Sequence, residues 1–588
     1  MTIALTSTFS SLFDPGRLFG PIFEKELRVS SRRKRNYVLR SVYIASLTVF
    51  LVVAWLQKAQ YVSSSGLYMS SRLAAAGKLI IVTIVWFQFC ITQVLAVIML
   101  STAIGEEIYL RTLGVLMTTP ITGLQIVLGK LFSKLLQLIL LLAISLPLLA
   151  IVRVFGGVPW DYIISSLCIT LTTIIFYGSL SLFFSIFNRR AYVVIILTGL
   201  VLAVLFGLLL FLYMLIFSVF PWGIPWSRQA DASITIFFHL NPYMMLALNT
   251  DVMLNPGLAG RVSSSWPLHC VIMLAASSVI LFVSVLLIRK IALAGAFGFP
   301  NILRRLLNPP DVDSVKSKVS SESSGQIRLI KGPPVVWKEL KSRVSSRERL
   351  FVAVIIGLEL ALIVAMYLFP VVEDIFGAQK TYMLYICIFI GLGLLTVTIF
   401  PVVSITSEKE AKTLPLLLVT PLSGWQILTG KFVGVLRRSL FVWLLLFVYI
   451  GLFWLFEYVG VSLFAIVQMA VIVAGSVVFL CGTGFYFGSR FRRTSAAVVT
   501  NFILAVLVWG IIPFLVILLK DTFRLGRYFF ILDDLEEYCL GAVPFVQAMK
   551  AMDSNPNLYE SSRFVPSYML LGVFFAWRAK YRLRYNIF

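Results

Sequence analysis

Residues 79–100 read LIIVTIVWFQFCITQVLAVIML, a run without a single charged side chain. A helix that crosses the hydrocarbon core of a bilayer needs about 20 such residues. Of the 588 residues of the chain, 59% are hydrophobic and 13% are charged, and the mean hydropathy is +0.95. This composition excludes a water-soluble enzyme, a disordered chain and a collagen-like chain. The sequence is that of a membrane protein.

Similar apolar runs recur along the chain, and together they predict twelve spans in two sets of six. The first set lies at 41–57, 79–100, 135–152, 162–188, 191–220 and 267–288, and the second at 350–370, 381–405, 439–456, 461–489, 494–519 and 565–577. The predicted fold class is an all-α polytopic membrane protein. The last run has only 13 residues, so it must include flanking polar residues, stop partway or thin the bilayer.

The charges of the chain predict its orientation. It has 50 Lys and Arg against 26 Asp and Glu, a formal net charge of +24. Segments on the amino-terminal side of the alternating spans hold 38 basic and 12 acidic residues, whereas the opposite segments hold 12 and 13. The positive-inside rule then places both termini in the cytoplasm. The basic excess is a topology signal, so we expect no nucleic-acid partner. The first span follows a basic cluster at 32–35 and is predicted to be an uncleaved anchor.

Cysteine and histidine usage predicts neither disulfides nor a metal site. The six cysteines stand singly, five of them inside apolar runs, and the two histidines, His239 and His269, lie far from any acidic cluster in the sequence. Metal sites and disulfide frameworks need such residues at short, regular spacings. We therefore expect no metal and no disulfide.

An internal duplication is the most informative feature of the sequence. Residues 106–130 read EEIYLRTLGVLMTTPITGLQIVLGK, and residues 407–431 read SEKEAKTLPLLLVTPLSGWQILTGK, with 11 of 25 positions identical. Before the first span stands PIFEKEL, before the seventh PVVWKEL, and RVSSR follows each closely. We expect a first six-span half at 1–300, a Ser- and Pro-rich flexible cytoplasmic linker at 301–330 and a second half at 331–588.

Both halves begin on the same side of the membrane, so the repeats are predicted to be parallel, as two six-helix bundles facing each other. Two long outward segments, 221–266 and 520–564, join the fifth and sixth spans of each half. They are candidates for binding an accessory protein or for capping an exit.

The repeated segment is predicted to form a helix, a break and a second helix. Glu107 precedes Arg111 by four residues and Glu408 precedes Lys412 by four, the favourable order for a helical ion pair. Leucines at helical spacing follow, which predicts a short amphipathic helix. Pro120 and Pro421 interrupt it, and the patterns at 122–125 and 423–426 fit capping boxes of new helices. One copy alone is equally consistent with a helix resting under the headgroups; two copies favour transmission of force.

The pattern Glu-x4-Thr-Leu-x2-Leu-x2-Thr-Pro-[Ile/Leu]-[Thr/Ser]-Gly-x-Gln-Ile-x2-Gly-Lys, at 107–130 and 408–431, resembles the first cytoplasmic loop of ABC-2 type transporter permeases. The resemblance covers the whole chain twice. It implies interfacial segments at 13–36 and 331–349, and coupling loops at 104–130 and 407–431. It also implies a multi-pass protein of the plasma (cell inner) membrane. The implied coupling residues are Glu107, Thr112, Leu113, Leu116, Thr119, Pro120, Glu408, Thr413, Leu414, Leu417, Thr420 and Pro421.

The same resemblance implies that these residues dock on separate cytoplasmic ATPase subunits, in two copies, and that the chain is an exporter. Most such permeases are single six-span chains that dimerise, so this chain departs from them in supplying both halves. The sequence has no phosphate-binding loop, G-x4-G-K-[ST]; residues 123–130 and 424–431 have one residue too many before the lysine and no hydroxyl after it. We read both as helix starts. ATP and Mg²⁺ are expected on the partner subunit, and no cofactor on this chain.

Glu359 stands in the middle of a predicted span, which makes it a candidate substrate or ion site because a charge buried there is costly. The first half has no acid at the matching place. Two further readings remain open. A secondary carrier of the major facilitator kind has the same twelve-span arrangement, although its intramembrane charge pairs are missing. A membrane assembly or anchoring factor without transport activity is the other.

Overall fold

A computed structural model describes residues 15–32, 34–59, 66–109, 112, 119, 121–156, 158–188, 191–208, 239–255, 265–296, 332–341, 346–368, 378–455, 462–513, 515–517, 529–552 and 563–585. The described residues are helices and short connections, with no β-strand among them. They fall into two compact units, one before and one after the predicted linker. The linker itself, 301–330, lies outside the described residues.

The first unit contains nine described helices. They are α1 (Pro15–Ser31), α2 (Lys34–Ala59), α3 (Gly66–Leu100), α4 (Gly105–Tyr109), α5 (Gly123–Gly156), α6 (Trp160–Phe187), α7 (Ala191–Ala203), α8 (Pro242–Leu254) and α9 (Trp266–Ala296). Helix α6 packs against α9 and α3, and α5 packs against α3 and along α1. Because α3 and α6 contribute many buried residues, they form the centre of this unit.

The second unit contains ten described helices. They are α10 (Pro334–Lys341), α11 (Ser346–Leu368), α12 (Ala378–Glu410), α13 (Leu414–Val419), α14 (Gly424–Leu455), α15 (Leu463–Arg490), α16 (Thr494–Val506), α17 (Phe529–Gly541), α18 (Pro544–Ala551) and α19 (Val565–Tyr585). Helix α15 packs against α19 and α12, and α14 packs against α12 and α10. Helices α12 and α15 form the centre of this unit.

Eight helices of the described residues are long and apolar enough to cross a membrane, and they confirm the class of protein that the sequence predicts. They are Ile80–Ile108, Gly123–Ala150, Trp160–Phe187, Trp266–Ile288, Tyr382–Glu410, Gly424–Leu452, Leu463–Arg490 and Thr494–Ile517. Each contains most of one predicted span.

The other four predicted spans are helical where the structure describes them, but they do not reach the same length and hydropathy. Residues 41–57 lie within α2, and 350–370 lie mostly in α11, whose apolar part is Phe351–Val364. The apolar helix at the start of 191–220 ends at Gly207, and the rest of that run lies mainly outside the described residues. The helix that contains 565–577 continues to Tyr585. Crossing by these four segments stays a prediction.

Two local features recur at matched positions of the two units. Asn241 precedes α8 and Val543 precedes α18, and each helix begins with a proline, which suits a first helical position because its missing N–H has no partner there. The fifth predicted span of each unit starts as an α-helix and continues as one π-helical turn, at Val204–Leu208 and at Leu507–Ile511. Matched positions of the sequence therefore adopt matched local structures.

Candidate functional site

A buried lysine joins three elements at one end of the first unit. The Lys130 ammonium on α5 lies 2.6 Å from Glu26 Oε1 on α1 and 2.9 Å from Glu107 Oε1 on α4. Only 7% of the Lys130 side chain is exposed. We call Glu26, Glu107 and Lys130 the first cluster. Its ion pairs connect the amphipathic helix α1 with α4 and with the first turns of α5.

The second unit contains the same arrangement. The Lys431 ammonium on α14 lies 2.9 Å from Glu339 Oε1 on α10 and 2.7 Å from Glu408 Oε1 at the end of α12. The exposed fractions of Lys431 and Glu339 are 4% and 7%. We call Glu339, Glu408 and Lys431 the second cluster.

The clusters use corresponding positions of the repeated sequence. Glu107 and Glu408 are the second residues of the repeated 25-residue segments, and Lys130 and Lys431 are their last residues. Glu26 and Glu339 are the glutamates that precede the final leucine in PIFEKEL and PVVWKEL. Three positions from two repeated motifs thus meet at one place in each unit.

Additional charges surround the clusters. Lys134 lies 3.6 Å from Glu26 Oε2. In the second unit, Arg438 lies 3.1 Å from Glu339 Oε2 and Lys338 lies 3.0 Å from Glu408 Oε1. Burial raises the pKa of Glu26, but the charges and hydrogen bonds of Lys130 and Lys134 outweigh it, so that the pKa lies below the ordinary value of 4.5. Glu26 is therefore ionised at neutral pH.

The predicted capping boxes are confirmed in both units. The backbone N–H of Gln125 donates to Thr122 Oγ1 at 3.3 Å, and the backbone N–H of Thr122 donates to Gln125 Oε1 at 3.1 Å. Gln426 and Ser423 form the same pair of bonds at 3.2 and 2.8 Å. Helices α5 and α14 begin directly afterwards, so the glycine–lysine segments are helix starts, as the sequence predicts. Their lysines bind carboxylates within the chain.

The predicted helical ion pairs need correction in the second copy. Helix α12 ends at Glu410, and Lys412 has a positive φ of 57°, a conformation that ends a helix. Glu408 and Lys412 therefore do not share a helix face, and Glu408 pairs with Lys431 instead. The short helix begins only at Leu414. The corresponding Arg111 in the first copy lies outside the described residues.

A threonine five residues after each glutamate donates a side-chain hydrogen bond back to the backbone carbonyl of that glutamate. Thr112 Oγ1 donates to the Glu107 carbonyl at 3.4 Å and also to its carboxylate, and Thr413 Oγ1 donates to the Glu408 carbonyl at 3.3 Å. Thr119, Thr420 and Pro421 are exposed. Leu113, Leu116 and Pro120 lie outside the described residues.

The apolar side chains of α13 divide into an anchor and an outer face. Leu414 is 2% exposed and Leu417 is partly buried, so Leu414 packs inside its own unit. Leu416 and Val419 are 71% and 86% exposed. The family resemblance implies Leu414 and Leu417 for docking, and that role stays a prediction. The most exposed apolar side chains of α13 are Leu416 and Val419.

Glu359 lies on α11, away from the second cluster in sequence, and is fully buried. Neither of its carboxylate oxygens has a hydrogen-bond partner among the described residues. Within the same residues, no group of three or more His, Cys, Asp or Glu side chains could hold a metal ion.

Sequence reasoning did not identify Glu26, Glu339, Lys130 and Lys431 as site residues. The signal was available, because both lysines end the repeated segment and both glutamates occupy the same place in the flanking motif. No family model matches the chain, and a search of characterised proteins finds no significant match.

Proposed function

We propose that the chain is the membrane-spanning permease of an ATP-driven transporter of the ABC-2 type, an exporter in the plasma membrane with both termini in the cytoplasm. ATP is bound and hydrolysed on separate subunits, two copies of which dock beneath the repeated segments. The observation that carries the proposal is the recurrence of one buried cluster in both units.

The clusters support the proposal because they give each repeated segment a stiff base. A push on a flexible loop is absorbed locally, whereas a push on helices joined by buried ion pairs moves them together. In the second unit, Lys431 holds α10, α12 and α14 at one point. Force applied beside this point would reach two membrane helices and the amphipathic helix at once.

The outer face of α13 supports the same reading. Leu416 and Val419 project from a helix whose Leu414 is anchored in the unit, so the face is fixed in orientation. Contiguous exposed apolar surface with a polar rim is typical of protein- or membrane-binding sites. Leu416 and Val419 are three positions apart on one helix and so form one apolar strip, which ends at the exposed Thr420. We infer that Leu416 and Val419 enter a groove of an ATPase subunit.

Photo-crosslinking from single positions tests this function. A photoreactive amino acid at position 416 or 419 should crosslink an ATPase that contains a phosphate-binding loop, in membranes from the native host. Leu463 is the matched control: it is apolar, 63% exposed, and begins α15, whose other end carries Arg490. The same amino acid at position 463 should capture no ATPase. Transport that persists without any ATPase, or equal capture from all three positions, would contradict the proposal.

A further inference from the structure

A small cleft lies between three helices of the first unit, α2, α3 and α5. It contains about 220 Å³ of space that no protein atom fills, part of it open to the surroundings. Its inner wall is formed by the buried Gln137 and Leu141 of α5, and its other side chains are partly exposed. We call it the Arg40 cleft, and its lining residues are Asn36, Leu39, Arg40, Met99, Gln137 and Leu141.

The residues of the cleft share one predicted level of the membrane. Arg40 directly precedes the first predicted span, Met99 is the second-last residue of the second, and Gln137 is the third residue of the third. The positive-inside rule places these three ends of the spans toward the cytoplasm. Lys130 of the first cluster precedes Gln137 on α5 by about 10 Å of helix rise. The cleft is therefore expected among the lipid headgroups of the cytoplasmic leaflet, close to the first cluster.

Arg40 gives the cleft a positive charge without an internal partner. Its side chain is partly buried, and among the described residues no ion pair includes it. No carboxylate lines the cleft, and the exposed Arg32 and Lys34 precede Arg40 by one to two turns. A guanidinium presents paired donors that match the oxygens of a phosphate, and such charge-assisted bonds are strong. The cleft therefore favours an anion.

The corresponding place in the second unit is filled by apolar side chains. The helices that follow the two RVSSR motifs align at a spacing of 315 residues, and the helices on either side of the repeated segments align at 301. Asn36 and Met99 then correspond to Phe351 and Phe400, whose rings meet edge to face with centroids 6.2 Å apart. The arginine of the cleft corresponds to Ile355, which is fully buried. An open cleft of this kind therefore distinguishes the first unit.

The second unit also neutralises its cation at this place. Gln137 corresponds to Arg438, which lies 3.1 Å from Glu339 Oε2 and 3.5 Å from Glu348 Oε2. One unit thus holds an arginine between two carboxylates of its own chain. In the other, Arg40 has no such carboxylate among the described residues, and the space beside it is free to receive an anion from outside the chain.

The apolar walls of the cleft favour a lipid over a free anion. Leu39, Met99 and Leu141 line it, and Val42, three positions after Leu39, is exposed on the next turn of α2. Val49 continues this exposed face. In a membrane, such a face lies against acyl chains. A phosphate in the cleft would therefore have room for its own chains beside Val42 and Val49.

We propose that the Arg40 cleft binds the phosphate of an anionic phospholipid. Arg40 pairs with the phosphate oxygens, the amides of Asn36 and Gln137 border them, and the acyl chains lie along α2. Basic pockets between membrane helices on the cytoplasmic side are typical sites of anionic headgroups. A zwitterionic headgroup is disfavoured, because its ammonium group would meet Arg40 and no carboxylate of the cleft. This inference needs only a membrane protein and does not depend on ATP-driven transport.

Lipid titration of the purified full-length chain in a neutral detergent tests the site. The probes are phosphatidylglycerol, phosphatidylcholine and inorganic phosphate, and the readouts are lipid adducts in native mass spectrometry and the midpoint of thermal unfolding. We expect phosphatidylglycerol to bind at least about tenfold more tightly than phosphatidylcholine, which corresponds to about 1.4 kcal/mol. It should also raise the midpoint, because a ligand of the folded state stabilises that state. Inorganic phosphate alone should do neither.

Two variants separate the charge of the cleft from its space. Arg40→Met removes the cation and should weaken phosphatidylglycerol binding about tenfold. Asn36→Phe installs the residue of the second unit, fills the cleft and leaves every charge in place, and it should weaken binding by a similar factor. Arg490→Met is the matched control for loss of one charge, because Arg490 is exposed at the predicted cytoplasmic end of α15. It should leave phosphatidylglycerol binding unchanged.

Equal binding of the two lipids, equal losses in Arg40→Met and Arg490→Met, or full phosphatidylglycerol binding by Asn36→Phe would overturn the inference. Displacement of the lipid by inorganic phosphate would identify a site for free anions and would also overturn it. Thermal unfolding without lipid shows whether each variant folds. If Arg40→Met does not, Asn36→Phe and Arg40→Lys decide: Arg40→Lys keeps the charge but not the paired donors, so it should bind more weakly than the native chain and still prefer phosphatidylglycerol.

Discussion

Lys431 has 4% of its side chain exposed and two carboxylates within hydrogen-bond distance. Removing two charges from water costs several kcal/mol for each ion, and good geometry with additional bonds must offset that cost. Glu339 meets this requirement through Lys431, Arg438 and their hydrogen bonds. The ion pairs therefore indicate a specified geometry. Deleting Lys431 would leave Glu339 with Arg438 and Glu408 with the exposed Lys338, without the buried cation that both carboxylates share.

Lys431→Met should destabilise the protein by about 3–5 kcal/mol, because Glu339 and Glu408 would remain buried without their common partner. The midpoint of thermal unfolding in detergent measures the effect. Lys338→Met is the control: Lys338 contacts the same Glu408, but 56% of its side chain is exposed, so the expected loss is about 0–1 kcal/mol. Equal losses from the two variants would show that burial of the cluster contributes nothing.

The lowered pKa of Glu26 predicts a pH dependence with a definite sign. A carboxylate whose pKa is lower in the folded state than in the unfolded state stabilises the fold above the unfolded pKa. The stability difference between the native chain and Glu26→Gln should therefore be constant above about pH 4.5 and decrease as the pH falls through the lowered pKa. Thermal unfolding of both proteins between about pH 3 and pH 7 measures this difference. The range extends roughly one unit or more on either side of the ordinary pKa of 4.5. A difference that grows on acidification would reject the assignment.

At the scale of helices, close packing depends on two glycines. A Cβ added to Gly482 on α15 would lie 2.0 Å from the Gly572 carbonyl oxygen on α19, and one added to Gly572 would lie 2.5 Å from the Val478 carbonyl oxygen. Small residues let membrane helices approach until their backbones touch. The short final apolar run thus belongs to a helix held directly against the core helix of its unit.

Gly482→Ala should destabilise the second unit by about 1–3 kcal/mol or more, because the clash is with backbone and no side chain can move to relieve it. Thermal unfolding checks this. Gly451→Ala provides the comparison, since nothing lies within 4 Å of an added Cβ at Gly451 on α14 and alanine favours a helix. A neutral Gly482→Ala would mean that α15 and α19 lie further apart.

The helix starts of α5 and α14 were predictable because a capping box uses only neighbouring residues. Thr122 with Gln125, and Ser423 with Gln426, form both reciprocal bonds. The end of α12 was not predictable from the pair Glu408 and Lys412. The preference for that pair is worth only about 0.2–0.5 kcal/mol, which is too little to decide where a helix ends once Glu408 packs against Lys431.

At the scale of the whole molecule, the proposed function and the duplication together predict two equivalent docking sites for ATPase subunits, one in each repeat. Glu107 and Glu408 are paired with buried lysines inside their clusters. Reversing their charges would therefore disturb folding of the unit and would not report on docking alone. The exposed Leu416 of α13 is the better target. Val115 stands at the same place in the first repeat and lies outside the described residues. Leu416→Glu and Val115→Glu should each lower stimulation of the ATPase, and the double variant should nearly abolish it.

ATP hydrolysis by the reconstituted complex measures this prediction. Leu463→Glu serves as the control for an added charge, and it should retain full stimulation. A double variant no weaker than either single variant would indicate that only one repeat engages an ATPase. Full stimulation of ATP hydrolysis by the double variant would show that α13 is not part of the docking surface.

The membrane class, the helical fold and the repeated segment follow from local properties: apolar runs, charge bias and motifs at a constant spacing. Such properties can be read without knowing which helices pack together. The partners of the lysines cannot be read in this way, because Lys130 and Glu26 are 104 positions apart and Lys431 and Glu339 are 92 apart. Only packing of α1 on α5 and of α10 on α14 brings these charges together. In the same way, burial within the unit, which no helical period specifies, turned Leu414 inward and left Leu416 and Val419 outside.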